Sequence, residues 1–132
     1  MQSLYGIWLF DMLKIAEVDV RMNLSEGCKN HINNIIKSNR EIFILLSILN
    51  GPMSGYDVIK NIFAKYDVFL SQGAVYPILY SMEEEGLLWA EYGKGDMRSK
   101  NYNFTIRGEE YAQTNIDAFA NALKHVVALV KE

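Results

Sequence analysis

Cysteine, proline and histidine are scarce in this chain, and each scarcity removes a class of function. The single cysteine, Cys28, excludes an intramolecular disulfide and fits a reducing, cytoplasmic setting. His31 and His125 stand far apart in sequence with no neighbouring ligand pattern, so no metal is expected. Two prolines in 132 residues, half of them hydrophobic, argue against any long disordered stretch and for one compact domain with a real core. A Gly-rich phosphate loop, a nucleophile elbow and any cluster of acids and histidines are all missing, so neither an enzyme nor a cofactor is expected. Glu83, Glu84 and Glu85 occupy successive helical positions, point in different directions and make poor paired carboxylates. A membrane-spanning run is lacking too. The segment Met1 to Val20 carries Leu4, Ile7, Trp8, Leu9, Phe10, Met12, Leu13 and Ile15, but Asp11 and Lys14 interrupt it, leaving it too short and too charged to cross a bilayer. With no basic segment ahead of it and no evident small-residue cleavage site, it is not read as a signal peptide. It is read as an amphipathic helix from about Leu4 to Ala16; surface attachment to a membrane is the alternative, for which the basic polar face is missing.

What is present is concentrated between Gly51 and Leu88, where the chain spells two capped helices with one short connection, the skeleton of a helix-turn-helix. Gly51-Pro52 closes the preceding apolar run, Ile42 to Leu49. Ser54 then serves as N-cap, with Asp57 three residues on in a capping-box relation. Val58, Ile59, Ile62 and Phe63 recur at helical spacing as the buried face, with Asp57, Lys60 and Asn61 opposite. The second helix opens at Ser71, buries Val75, Ile78, Leu79 and Met82, and ends at Gly86. Its other face gathers Gly73, Tyr76, Pro77 and Tyr80. A proline beyond the first turn costs about 3 kcal/mol in an ordinary helix interior. Gly73 and Pro77 are therefore read as a coupled adjustment that holds Tyr76 and Tyr80 outward; packing of the two tyrosines on a neighbour is the alternative.

Downstream, Leu87 to Tyr92 and Lys100 to Thr105 read as paired strands joined by the Gly93 to Ser99 turn. Tyr102, Phe104 and Ile106 share one alternating face and are expected to seal the hairpin, with Trp89 in the core or lining a ligand cavity. Thr105 caps a last helix on which Ala112, Ile116, Phe119, Leu123, Val126 and Val130 follow one another at intervals of four, three, four, three and four residues. This heptad seam predicts dimerisation; folding back onto the helix's own domain is the alternative. An earlier helix, around Glu26 to Lys37, places Cys28, Ile32, Ile35 and Ile36 on one side and belongs to an N-terminal extension that would widen the dimer interface.

Two stretches carry a family resemblance: Gly51-Pro52-Met53-Ser54-Gly55-Tyr56, and Gly73, Tyr76 and Pro77 followed by Met82-Glu83-Glu84-Glu85-Gly86-Leu87-Leu88. Over about Ser38 to Tyr111 the chain resembles the PadR-like winged-helix transcriptional regulators. It differs in having Ser54 where histidine is common, Gln72 where proline is frequent, Ala74 where threonine is common, and a wing, Gly93 to Lys100, with little arginine. The resemblance implies a mainly α fold with a small β-hairpin. With the two ends, which the resemblance does not cover, read from their own residues, the expected parts are an N-terminal helical extension (1–37), a winged helix-turn-helix DNA-binding domain (38–106) and a long C-terminal dimerisation helix (107–132). The resemblance implies double-stranded DNA as partner, with Ser71, Gln72, Gly73, Ala74, Tyr76, Pro77 and Tyr80 on the recognition helix and Lys60, Lys94, Arg98 and Lys100 reaching phosphate. Lys65 is a further phosphate candidate. The net charge of −3 does not oppose this, because the distribution of charge matters more than its sum. The acidic run Glu83 to Glu85 opposes the helix dipole, gains nothing locally and would lie farthest from phosphate. Three functional readings follow: a homodimeric, sequence-specific DNA-binding repressor, a winged-helix protein-interaction module without DNA binding, and a sensor holding a small aromatic effector between subunits.

Overall fold

The computed structural model describes residues 23–93 and 96–132, with side chains for all of these except 96–99. The expected amphipathic helix from Leu4 to Ala16 lies outside these residues. The described chain runs α1 (Glu26–Ser38), α2 (Arg40–Leu49), α3 (Gly55–Tyr66), α4 (Gln72–Glu84), β1 (Leu88–Gly93), β2 (Asp96–Phe104) and α5 (Ile106–Val130). It divides into two compact units, residues 1–35 and 36–132, so α1 crosses from one into the other. Within the first unit, α1 begins with the Ser25 hydroxyl accepting from the Cys28 amide at 3.1 Å, and Glu26 lies 3.8 Å from Lys29. Cys28 is exposed. No helix among the described residues is long and apolar enough to cross a membrane.

The second unit is a helical core closed by a hairpin. Its centre is built from Ile44 and Leu45 of α2, Val58 and Ile62 of α3, Val75 and Leu79 of α4, and Ile116 of α5, each all but inaccessible to solvent. Burying a side chain of this size contributes about 1.5–3 kcal/mol before entropy is subtracted. Helix α2 packs on α3, α4 and α5 and is the hub of the unit. Among the described residues, one polar side chain enters this core: the Ser47 hydroxyl lies 3.0 Å from both the Phe43 carbonyl and Asn61 Oδ1. A hydroxyl has one proton, so both contacts are satisfied if Ser47 donates to Phe43 and the Asn61 amide is turned to donate to Ser47. Asn61, expected on the outer face of α3, thus turns toward α2.

Two further expectations about buried faces change. Phe63 was expected inside with Val58, Ile59 and Ile62, but it is half exposed near the end of α3. The turn that follows is set by Asp67, which takes the left-handed conformation (φ 58°) and donates its amide to the Phe63 carbonyl at 2.9 Å. Ile106, expected to seal the hairpin, is instead the first residue of α5 and is largely exposed, while Phe104 is half-buried and Tyr102 fully buried.

The hairpin is longer than the sequence suggests. β2 starts at Asp96 rather than Lys100, and the register runs from Leu88 opposite Phe104 to Tyr92 opposite Lys100, then jumps to Gly93 opposite Asp96. A third segment joins it: Met53, between Pro52 and the Ser54 cap, pairs with Tyr102 through Tyr102 N–H to Met53 carbonyl at 2.9 Å and the reciprocal bond at 3.4 Å. Trp89, expected in the core or at a cavity, is about half exposed on β1.

Helix α5 is anchored at its start and free at its end. The Thr105 hydroxyl accepts from the Gly108 amide at 2.9 Å and lies 2.7 Å from the Gly86 carbonyl, while Thr105 N–H reaches the Leu87 carbonyl at 3.1 Å. Gly108 then lies flat against the chain at Leu87, where a Cβ would come within 1.7 Å of the carbonyl oxygen. The Tyr111 hydroxyl donates to Glu41 Oε1 at 2.5 Å, which joins α5 to α2 and, with burial second, pushes that phenol up to about 12. The heptad seam therefore splits. Ala112 and Ile116 are buried in the chain's own core, and the ring of Phe119 meets that of Phe43 edge-on at 5.7 Å. These three serve intramolecular packing first. Leu123 is half-buried, and Val126, Val127, Leu129 and Val130 are exposed.

Candidate nucleic-acid interface

Helix α4 owes its place to two local devices. At its start, the Ser71 hydroxyl accepts from the Ala74 amide at 3.2 Å, and the first turn holds no acid. At its end, Gly86 adopts φ 78°, a left-handed turn that L side chains resist, and the Leu87 amide returns to the Met82 carbonyl at 2.9 Å. Between them Val75, Leu79 and Met82 are buried and Ile78 is half-buried, so the apolar stripe read from the sequence is the inner face.

The opposite face gathers the residues the sequence singled out. Ser71, Gln72, Gly73, Pro77 and Tyr80 are exposed, and Ala74 is half-buried. Tyr76 departs from expectation. It is half-buried, because its ring seats on Gly55 at the start of α3, where an added Cβ would stand 2.7 Å from Cε1 and Cζ. The glycine of the Ser54-Gly55-Tyr56 turn thus makes room for the tyrosine of the next helix. Tyr76 and Tyr80 stack obliquely, with centroids 5.9 Å apart. Pro77 lies inside α4 on the solvent side.

The cations divide. Lys60 extends from α3 over the Tyr56 ring (4.9 Å) and stands 3.7 Å from Asp57, the carboxylate of the capping box; both side chains are well exposed. In that box the Asp57 amide donates to Ser54 Oγ at 3.1 Å, and Asp57 Oδ2 accepts from the Ser54 amide at 3.4 Å. Lys65 is exposed on the last turn of α3. Lys100 turns inward. Its ammonium donates to Glu83 Oε1 at 3.0 Å and lies 5.6 Å and 5.4 Å from the ring centres of Tyr80 and Tyr102. The hydrogen bond to Glu83 holds its pKa above the ordinary lysine value despite partial burial, while burial raises that of the Tyr102 phenol against the opposing pull of Lys100. The acidic run is accordingly not idle: Glu83 pairs with Lys100, and Glu85 accepts from the Ser81 hydroxyl at 3.0 Å. Lys94 and the side chain of Arg98 lie outside the described residues. Sequence reasoning missed Glu83 as a partner of the wing and the bridge from Met53 to the hairpin. Neither has a local signal, since each acts on a residue 17 or more positions away.

A capped helix pair whose second member is followed at once by a hairpin, with the segment before the first helix paired to that hairpin, is a winged helix-turn-helix. The family model described as the transcriptional regulator PadR-like family matches residues 44–114, more than half of the chain. The chain belongs to the PadR-like family of transcriptional regulators. The fold is shared with solved PadR-like and other transcriptional regulators at low identity. One from Clostridium thermocellum is 22% identical, with a TM-score of 0.64 over 82% of this chain and 99% of that one. A PadR-like transcriptional regulator from Bacillus cereus is 23% identical, with a TM-score of 0.64 over 75% and 98%. A PadR family regulator from Eggerthella lenta is 21% identical, with a TM-score of 0.59 over 82% and 98%. A search of curated proteins by sequence found no match. For this PadR-like chain, membership implies regulation through DNA binding, and the family and its structural neighbours are regulators rather than enzymes.

Proposed function

We propose that this PadR-like protein is a homodimeric repressor that reads a roughly palindromic site, with the amino-terminal half of α4 in the major groove. The observation that carries this reading is the solvent face of that helix. Ser71, Gln72, Gly73, Pro77 and Tyr80 are open, Ala74 and Tyr76 are half-open beside them, and no carboxylate stands in the first turn to repel a phosphate from the helix's positive end. Gly73 allows close approach, since a methyl there would meet nothing nearer than Ser71 Oγ at 3.9 Å. Lys60 is the phosphate contact whose geometry supports the role best: it is exposed, and leaving Asp57 sacrifices a surface ion pair worth about 0–1 kcal/mol. Lys94 and Arg98 of the wing complete the proposed phosphate set, with Lys65 a further candidate.

Pairing is proposed through the last turns of α5, where Leu123, Val126, Val127, Leu129 and Val130 form an apolar end that the protomer leaves largely uncovered. The proposal includes release from DNA by a small aromatic molecule held on apolar surface between the two subunits.

The test is a salt titration of binding to the duplex upstream of the protein's own gene. Arg98→Ala should weaken binding to every sequence and lower the salt slope by about one, whereas Tyr76→Phe should leave the slope unchanged and cost about 1 kcal/mol. Equal affinity and slope in all three proteins would move the protein-interaction reading into first place. For the dimer, Val126→Glu with Val130→Glu should yield monomers in sedimentation. Phe119 is a poor target for that purpose because it contacts Phe43 within its own subunit.

A further inference from the structure

We propose that Glu83 is a positioning residue for the wing: through Lys100 it sets the angle at which the hairpin leaves α4, and Lys100 directs its charge into the protein rather than to a phosphate. This rests on the reading of α4 and the wing as the DNA surface, and it withdraws Lys100 from the set of phosphate contacts. Three parts of the fold meet at one ammonium. Lys100 belongs to β2, while Glu83 and Tyr80 belong to α4. Tyr102, also beside the ammonium, is held by two backbone bonds to Met53, immediately before the Ser54 cap of α3. One charge thus links the wing strand, the recognition helix and the entry to the preceding helix.

The comparison with Lys60 shows why the two cations differ. The Lys60 and Asp57 side chains are 60% and 48% exposed and 3.7 Å apart, so solvent screens the pair and Lys60 can exchange its partner. The Lys100 and Glu83 side chains are 28% and 34% exposed and 3.0 Å apart, with two aromatic rings flanking the ammonium. Moving Lys100 to a phosphate would strip Glu83 of its partner and leave a carboxylate that is only a third exposed unpaired at the negative, carboxy-terminal end of α4.

The experiment uses the full chain and three variants: Glu83→Gln, Lys100→Gln, and the exchange Glu83→Lys with Lys100→Glu. In a Cys28→Ser background, nitroxide labels on Gln72→Cys of α4 and Glu91→Cys of β1 report the spread of distances between helix and wing without DNA. Each single variant should broaden that distribution, and the exchange should narrow it again. Binding to a duplex should weaken in both single variants by about fivefold, the value of a partly buried pair, with no change in salt slope, and the exchange should recover part of the loss. Overturning results are an unchanged distance distribution in both single variants, or tighter binding by Glu83→Gln together with a salt slope lowered by about 0.9 in Lys100→Gln, which would make Lys100 a phosphate contact. Should Lys100→Gln fail to fold, the near-isosteric Glu83→Gln carries the test. Should the unaltered protein bind no duplex at all, the DNA reading fails, and the label distances still decide whether Glu83 positions the wing.

Discussion

Gly108→Ala sets helix propensity against tertiary packing at one atom. Propensity alone would make alanine stabilising by up to about 1 kcal/mol at a helical position. The new methyl, however, would lie 1.7 Å from the Leu87 carbonyl oxygen and 2.7 Å from its carbon, both of them backbone atoms with no rotamer to change. Non-bonded carbon and oxygen keep roughly 3 Å apart, so the first turn of α5 and the end of the α4 turn must separate by roughly 1.3 Å. That movement breaks the Thr105 amide bond to Leu87 (3.1 Å) and the Thr105 hydroxyl bond to Gly86 (2.7 Å). Two such bonds are worth about 1 kcal/mol each net, and overpacking adds about 1–3 kcal/mol. After the propensity gain is subtracted, a loss of about 2–4 kcal/mol is expected, a large share of the roughly 5–15 kcal/mol that holds a domain together. Urea unfolding followed by far-UV circular dichroism measures it as a fall in midpoint at constant slope. A variant as stable as the parent, or more stable, would refute the close approach of α5 to Leu87 and with it the anchoring of the last helix to the base of the wing.

Gly73→Ala should do the opposite to stability, raising it by about 0.5 kcal/mol because the nearest atom is Ser71 Oγ at 3.9 Å, while weakening DNA binding if α4 approaches the backbone closely; thermal melts and duplex titrations read the two signs separately. Tyr111→Phe should flatten the alkaline limb of the stability profile. The Tyr111 hydroxyl is raised from 10.0 to about 12 by its bond to Glu41, so its contribution is complete below pH 10 and is lost as pH rises through about 12. Urea midpoints across that window, compared between variant and parent, should converge at the alkaline end; parallel profiles would disprove the linkage. Asp67→Gly should raise stability by about 0.5 kcal/mol, because Asp67 holds φ 58° at the end of α3 and glycine adopts it without strain; an unchanged or lowered melting temperature would contradict this.

Local chemistry was legible. Ser54, Ser71 and Thr105 cap the helices they were expected to cap, Gly86 makes the turn after α4, and Val75, Leu79 and Met82 form its inner face. Each of these depends on partners within a few residues or on the helical period, so the amino-acid order alone specifies it. Periodicity names an apolar face but not what covers it, and there the expectations failed. Phe63 shares the apolar stripe of α3 with Ile62, yet Ile62 is buried and Phe63 half exposed. The seam of α5 is uniform in sequence, yet its first half is packed on α2 and its last turns are uncovered, because the core ends before the helix does.

The candidate surface shows the same boundary. That Gly73, Pro77 and Tyr80 share an outer face of α4 follows from their spacing. That Tyr76 rests on Gly55, that Met53 joins the hairpin through Tyr102, and that Lys100 turns to Glu83 are contacts across 17 to 49 residues of chain. No sequence window contains both partners of such a contact. That Lys100 is held by a partly buried carboxylate while Lys60 stays exposed was therefore decided only when the wing folded back along α4 and brought opposite charges within hydrogen-bonding distance.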